Sequence, residues 1–483
     1  MKASLAEPLL PPSRTGSQPT WRWRDVALVA AVGVLGPLSA HVALPDTAVA
    51  GLNAAALLVL AIALAAVIEH LAHLVGDVHG SLISASLANV VEFALSLVAL
   101  RQGMLRFVQV SLLGTVLTSC LLIPGLSFII RGLSEPRDKL NKHQGAMMSM
   151  VLQLASMAYC VATAYNVTKS HTHSSTCAVY CDARSMLGVS RVVAFVLLAC
   201  YAVMLVWSTT THSYLIAKRR SRYKAPQAAA DRSVATAPAA APGVGMSGVG
   251  GVGGVVATVA CVLVLTLWVV LCADALLGSL DGATHGIGLT RHFAALVLVP
   301  NVGGMDAIVT ATSLAIKGHV DLALSFAVGT AIQILLGVLP LLVLVSWLVS
   351  KGRHRVSLPS DALHPAPPAV AAEGSATCES PVYLTGRGVA FTRQVSWALN
   401  QPLLLDLRSF EAILLLLSVL VVNGVVRRAS ATYLEGAMMV GAYLVVAVTY
   451  FFREHDQEYG SKAHNGICIC GTACCVPPDI TAG

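Results

Sequence analysis

The chain has 483 residues, of which 56% are hydrophobic and 11% charged, with mean hydropathy +0.74 and net charge +7. That balance excludes a water-soluble bundle, which would expose too much apolar surface. The positive excess sits in short stretches beside apolar runs, where it orients a membrane protein rather than binding nucleic acid, and the twelve cysteines lack the C-x-x-C spacing of a structural zinc module.

In chain order, residues 1–25 form a polar tail, and the apolar run Val26 to Pro45 follows. Thr47-Ala48-Val49-Ala50 resembles a signal cleavage site, but the polar leader is too long for a signal sequence, so 26–45 reads as a first helix. Further uncharged runs span Thr47 to Ile68, Phe107 to Ile130 and Val192 to Ala217. A helix needs about 20 apolar residues to cross the hydrocarbon core. The expectation is an all-α integral membrane protein with about eleven transmembrane helices, at 26–45, 50–74, 80–100, 107–130, 144–166, 190–212, 255–279, 288–316, 320–350, 408–426 and 432–452. A linker over 218–254 opens basic and turns Ala/Pro/Gly-rich; a polar, Pro-containing loop covers 351–407; a Cys-containing tail covers 453–483. With a cytosolic N-terminus, the basic residues Arg131, Arg137, Lys139 and Lys142 and the Lys218–Lys224 cluster face the cytosol, as the positive-inside bias requires. Lys351, Arg353 and Arg355 run against it.

Shifting the chain by 215 residues lays the third and fourth spans on the eighth and ninth, with Gly103 on Gly318, Gly114 on Gly329 and Thr115 on Thr330. Units of five spans have opposite orientations, so the pattern predicts two inverted five-helix repeats, 46–217 and 255–452, plus an extra N-terminal helix.

Acids inside spans point to function, because a charge at the bilayer centre costs about 2.5–3.5 kcal/mol even on insertion scales. Glu69, Glu92, Asp274 and Asp306 are the candidates; a helix-end acid suits Asp274, whereas Glu92 has long uncharged stretches on both sides. Asn89 and Glu92 are three residues apart, on one helix face, and offer an amide oxygen and a carboxylate, hard ligands for Ca²⁺ or Mn²⁺. Desolvation disfavours a charged carboxyl, so such a group takes a proton when the cation leaves. One group that holds metal and proton in turn is the minimum of an antiporter.

Ala88-Asn89-Val90-Val91-Glu92 and Ser111-Leu112-Leu113-Gly114 resemble the first repeat of the vacuolar Ca²⁺/H⁺ exchanger family, whose pattern is G-N-x-x-E followed by S-L-L-G-S. The likeness continues through Pro300, Gly303, Lys317, Asp321-Leu322-Ala323-Leu324, Gly329 and Gln333, and Phe410 to Phe452 is similar to the family's last two spans. The resemblance implies that Asn89 and Glu92 are cation ligands and that Glu69 and Asp274 are acids that shape access and proton exchange. It also implies that Thr115, Thr330 and Gln333 line the cavity, and Asn301, Gly303 and Gly304 are expected to line it with them. The second repeat departs from the pattern: Gly304 stands at the amide position and Ala307 at the acid position, with Asp306 one residue early. On a regular helix that offset is about 100° and 1.5 Å. A break at Pro300 and Gly303-Gly304 would turn Asp306 inward, with Asn301 supplying an amide from the other side.

The function expected is exchange of Ca²⁺, or Mn²⁺, for H⁺ across a vacuolar or other acidic endomembrane, with no cofactor, and with lipids, the cation and protons as partners. A homo-oligomer is left open. The alternatives are a monovalent-cation exchanger and a degenerate paralogue that no longer transports. Glu69-His70-Leu71-Ala72-His73 has neither the order nor the spacing of a zincin motif, so an intramembrane metallohydrolase is remote. His171, His173, Cys177 and Cys181 read as a solvated or disulfide-closed loop before a metal site, and Cys120, Cys160, Cys200, Cys261 and Cys272 as small hydrophobes.

Overall fold

The computed structural model describes residues 23–42, 44–76, 80, 83–84, 86–135, 138–140, 142–172, 178–207, 252–356, 403–405, 407–428 and 430–463. The polar tail up to residue 22, most of both long linkers, His173, Cys177 and the C-terminal cysteines lie outside them. The described chain is helical apart from short turns and one two-residue strand pair.

Helix α1 is Trp23–Leu38 and α2 is Asp46–Val75. Helix α3 is Val90–Arg101 and α4 is Leu105–Ser134. Helices α5, α6 and α7 are Lys142–Thr172, Ala178–Val206 and Val252–Gly286. Helix α8 has two arms, Arg291–Gly303 and Met305–Ile316, bent by 56°. Helix α9 is Val320–Val349, α10 is Ser409–Arg428 and α11 is Tyr433–Ala463. Among the described residues eight helices are long and apolar enough to span a membrane, and the bent pair makes a ninth. Two expected spans are shorter than anticipated. Helix α1 gives way at His41 ahead of Pro45, which is extended and caps α2. Helix α3 starts only at Val90, because Asn89 (φ −114°, ψ 33°) leaves the helical region.

Among the described residues, π turns interrupt helices at Thr118–Leu122, Ala294–Leu298 and Ile334–Val338. Each lies just before an X-Pro pair: Pro124, Pro300 and Pro340. Proline has no N–H, and its ring clashes with the carbonyl four residues back, so the helix widens there and leaves carbonyls without helical donors. In hydrocarbon those groups need partners from the protein. Tyr159 of α5 donates to Leu335 O at 2.6 Å. Leu296 O abuts Gly114 of α4, where a Cβ would sit 2.1 Å from it, so only glycine permits this approach of α4 to α8.

The turns after α3 and α8 match bond for bond. Gln102 N, Gly103 N and Met104 N donate to Val98 O, Leu100 O and Ala99 O, and Lys317 N, Gly318 N and His319 N to Ser313 O, Ala315 O and Leu314 O. Each is a Schellman stop with glycine in the left-handed region, Gly103 at φ 79° and Gly318 at φ 83°.

Contacts sort the helix ends into two sets. On one side Asp46 at the start of α2 faces Gly282 near the end of α7. On the same side Arg106 at the start of α4 pairs with the fully buried Glu411 of α10. There too the buried Leu403 and Leu405 donate backbone N–H groups to Ser346 and Ser190. On the other side, the strand Asp138–Lys139 after α4 pairs antiparallel with Ser430–Ala431 after α10. Gly132 packs on Tyr433 there, and Gly318 meets Arg131. Helix α11 starts with a capping box: Glu435 N donates to Thr432 Oγ1 and Thr432 N to Glu435 Oε2.

Candidate cation site

Two helix starts meet inside the bundle. Asn89 precedes α3, and Gly304 (φ −93°, ψ 16°) precedes the second arm of α8. Glu92 and Asp306 stand in the first turns of these helices. A helix N-terminus carries partial positive charge, which favours a carboxylate there.

Both acids line one cavity of about 20 Å³, with Asn89 and Gly304 beside them, Thr115, Thr118 and Ser119 from α4, and Phe326 and Thr330 from α9. That is room for about one water-sized body. Glu92 is 9% exposed and Asn89 7%. Pro300 and Ala307 complete the wall near Asp306. Gly304 leaves open space toward Glu92, whose Oε1 lies 3.8 Å from the position a Cβ would take.

The hydroxyls face the cavity as acceptors. Thr115 Oγ1 donates to Ser111 O and Thr330 Oγ1 to Phe326 O, both at 3.2 Å, so their lone pairs remain for a ligand. Asn89 Nδ2 donates to Gln333 Oε1 at 2.6 Å, which leaves Asn89 Oδ1 free to coordinate. Two carboxylates, one amide oxygen and several hydroxyls form a hard-oxygen donor set, suited to Ca²⁺ or Mn²⁺ rather than to a soft metal.

The structure thus brings together Asn89, Glu92, Asp306, Thr115, Gly304 and Thr330, with Gln333 bonded to Asn89. Asn301 is turned elsewhere: its Nδ2 donates to Val297 O at 2.6 Å and to Tyr443 Oη at 2.9 Å. At Gly303 a Cβ would meet Leu95 Cδ1 at 3.6 Å, a packing contact with α3. Glu69 has a side chain 75% exposed, 3.8 Å from His73 Nε2. Asp274 is on α7, where its Oδ1 accepts from Gln102 Nε2 at 3.0 Å. Both acids therefore stand apart from the cavity. Thr118 and Ser119 were not among the sequence candidates, although Thr115, Thr118 and Ser119 fall three and four residues apart on one face of an otherwise apolar helix. The Arg106–Glu411 pair was also missed, because each charge sits at a helix end where an exposed role reads equally well.

Comparison with known proteins places this architecture. Residues 47–210 and 257–364, more than half of the chain, match the family described as sodium/calcium exchanger protein. The vacuolar calcium ion transporter of Schizosaccharomyces pombe is 26% identical over 83% of this chain and 78% of its own. The Ca²⁺/H⁺ antiporter of Aphanothece halophytica is 25% identical over 81% of this chain and 87% of its own. The solved structure of native YfkE has the same fold, with a TM-score of 0.59 at 19% identity, covering 89% of this chain and 99% of that one. By the family match over more than half of its length, the chain belongs to the sodium/calcium exchanger protein family.

Proposed function

We propose that the protein is a secondary transporter that exchanges Ca²⁺ for protons across an acidic endomembrane such as that of the vacuole, with the cation held between Glu92 and Asp306. The observation that carries this is two acids in the first turns of separate helices facing one small cavity. Facing carboxylates hold two negative charges when ionised, which a divalent cation or two protons neutralise. A calcium transporter of the vacuole and a Ca²⁺/H⁺ antiporter among its relatives carry those activities in their names.

The proposed architecture is eleven crossings, with α2–α6 and α7–α11 as inverted repeats over 46–217 and 255–452 and α1 outside them. Three observations support it. The backbone breaks at Asn89 and Gly304 and the turns at Gly103 and Gly318 fall at one constant offset of 215 residues. The π turns of α4 and α9 fall within one residue of it. The sorting of helix ends into two sets follows the alternation that eleven crossings require, with Arg106 and Glu411 on one face and the Asp138–Ala431 pairing on the other. In this scheme Glu69 and Asp274 tune access and proton exchange from the flanks, and the basic stretch 218–232 is cytosolic.

Proton-gradient-driven ⁴⁵Ca²⁺ uptake into vesicles tests the function. Uptake that collapses with a protonophore and is competed by Mn²⁺ is the expected result. A flat trace for both cations makes the protein a non-transporting paralogue or a carrier of monovalent ions. Cysteine accessibility tests the topology: residues 218–232 are expected on the face opposite 357–402, and finding both on one face removes either a span or the inverted repeat.

A further inference from the structure

Helix α11 presents an apolar, exposed outer face that includes Met438, Leu444, Val445 and Val448. Its buried positions, Gly436, Met439, Tyr443 and Tyr450, recur at intervals of three, four and seven residues and form one inward face. Gly436 brings this face against α4, since a Cβ there would lie 2.6 Å from Gly125 O. That docking aims Tyr443 at the π turn of α4. A buried phenol needs a partner for its hydroxyl, and a backbone carbonyl would suffice. Here the hydroxyl ends among side chains instead. Asn301 Nδ2 donates to Tyr443 Oη at 2.9 Å. Thr118 Oγ1 lies 3.4 Å from Tyr443 Oη and 3.5 Å from Asn301 Oδ1. Thr118 in turn is part of the wall of the cation cavity.

We propose that Tyr443 is a positioning residue of the cation site, holding Asn301 so that Thr118 keeps its oxygen available to the cation. Both N–H groups of Asn301 are engaged, one by Val297 O and one by the phenol. The amide is thereby fixed away from the cavity, with its oxygen toward Thr118. The Thr118 hydroxyl has one proton and two acceptors within reach on this side, so its proton turns away from the cavity and lone pairs remain. Without the phenol oxygen Thr118 loses one of its two acceptors, and Asn301, released at Nδ2, no longer holds Oδ1 toward Thr118. The Thr118 proton is then free to turn into the cavity, where a hard cation, which coordinates at about 2.3–2.6 Å, would need that lone pair. The last helix, otherwise a lipid-facing cover, so gains a hold on affinity through one hydroxyl.

This inference rests on the cation-site reading above, and its test separates the two. The full chain is purified and reconstituted, and equilibrium ⁴⁵Ca²⁺ binding and initial uptake rates are measured against Ca²⁺ concentration. The variants are Tyr443→Phe, Thr118→Val, their double and Glu92→Gln. Tyr443→Phe is expected to raise the dissociation constant and KM about three- to tenfold, the size of one lost hydrogen-bond contribution, with the maximal rate within about twofold. The double variant should be no weaker than Thr118→Val alone, because the effect passes through Thr118. An unchanged KM, a loss confined to maximal rate or yield, or effects that multiply in the double would each overturn the proposal. Asn301→Ala provides the same KM rise by a second route if Tyr443→Phe inserts poorly; an unmoved KM there overturns it as well. Should Glu92→Gln bind Ca²⁺ as the unmodified protein does, the cation-site reading fails; if Glu92→Gln is silent and Tyr443→Phe is unaltered, only the role of Tyr443 fails.

Discussion

At Asn89 the chain leaves an irregular turn for a helix with φ −114° and ψ 33°; at Gly304 it does so with φ −93° and ψ 16°. Each helix runs twelve residues and stops at a left-handed glycine. The chemistry hung on the two backbones differs. The first half brings its own amide and a carboxylate three residues later. The second has no side chain at the amide position, and its acid comes one residue early. Both acids nonetheless line the same cavity. The difference teaches that the break sets where an acid lands, more than its count along the helix. Right at a helix start, the first turn is held by few intrahelical bonds, so a shift of about 100° matters less than it would mid-helix.

Glu92, in the half that keeps both amide and acid, should matter most. Glu92→Gln keeps size and hydrogen bonding while removing charge and titration, and proton-driven Ca²⁺ uptake should fall to background with insertion unchanged. Uptake at the unmodified rate would end the mechanism. Asp306→Asn should be about as severe, since a divalent cation then meets one negative charge instead of two. The double change Asp306→Ala with Ala307→Glu should restore part of the uptake by moving the acid one position along the arm. Normal transport by Asp306→Asn would make the site one-sided and remove the Ca²⁺ assignment.

A second pair of charges contrasts the acids of the cavity with a buried acid that has a cationic partner. Glu411 is fully buried yet paired: it accepts from Arg106, from Tyr450 Oη at 3.3 Å and from Arg408 N at 3.2 Å. Arg106→Leu leaves that carboxylate with weaker partners, a change that costs about 3–5 kcal/mol when a buried pair is broken. The expected readout is a lower melting temperature in detergent with KM for Ca²⁺ unmoved in the protein that survives. A shifted KM would place this pair in the transport path.

Most of the helices were legible in the sequence because spanning length and apolarity are properties of a run, and those runs are long. The two matching turns were legible through glycines: Gly103 and Gly318 sit where a Schellman stop needs a left-handed residue, so the backbone requirement is written in the residue type. Asn89 and Glu92 were legible from spacing. The start of α3 was not, because Ser84 to Ala88 are as apolar or small as a helix interior, and the partner of Asn89, Gln333, lies 244 residues away. Asn301 was expected in the cavity because it follows Pro300; its partner Tyr443 lies 142 residues away, beyond any local pattern. Thr118 was hidden because a threonine in an apolar helix ordinarily bonds its own backbone, and the π turn at that position is what turns it inward.

The smallest expected effect returns to the two halves and concerns how one supports the other. Asn89 belongs to the first half, yet its Nδ2 donates at 2.6 Å to Gln333 Oε1, which belongs to the second. That bond fixes which end of the amide faces the cavity: with the nitrogen engaged, Asn89 Oδ1 is the end presented. An amide free to rotate would offer N–H to a cation for part of the time, and an N–H cannot coordinate one. Gln333→Leu removes the acceptor at nearly constant volume. The net worth of such a bond is about 1 kcal/mol, so KM for Ca²⁺ should rise about fivefold while the maximal rate changes little. Gln333→Glu keeps an acceptor at the same reach and should hold KM nearer that of the unmodified protein. If both variants raise KM alike, accepting from Asn89 is not what Gln333 contributes. If neither does, the amide needs no holding, and the first half of the site works without help from the second.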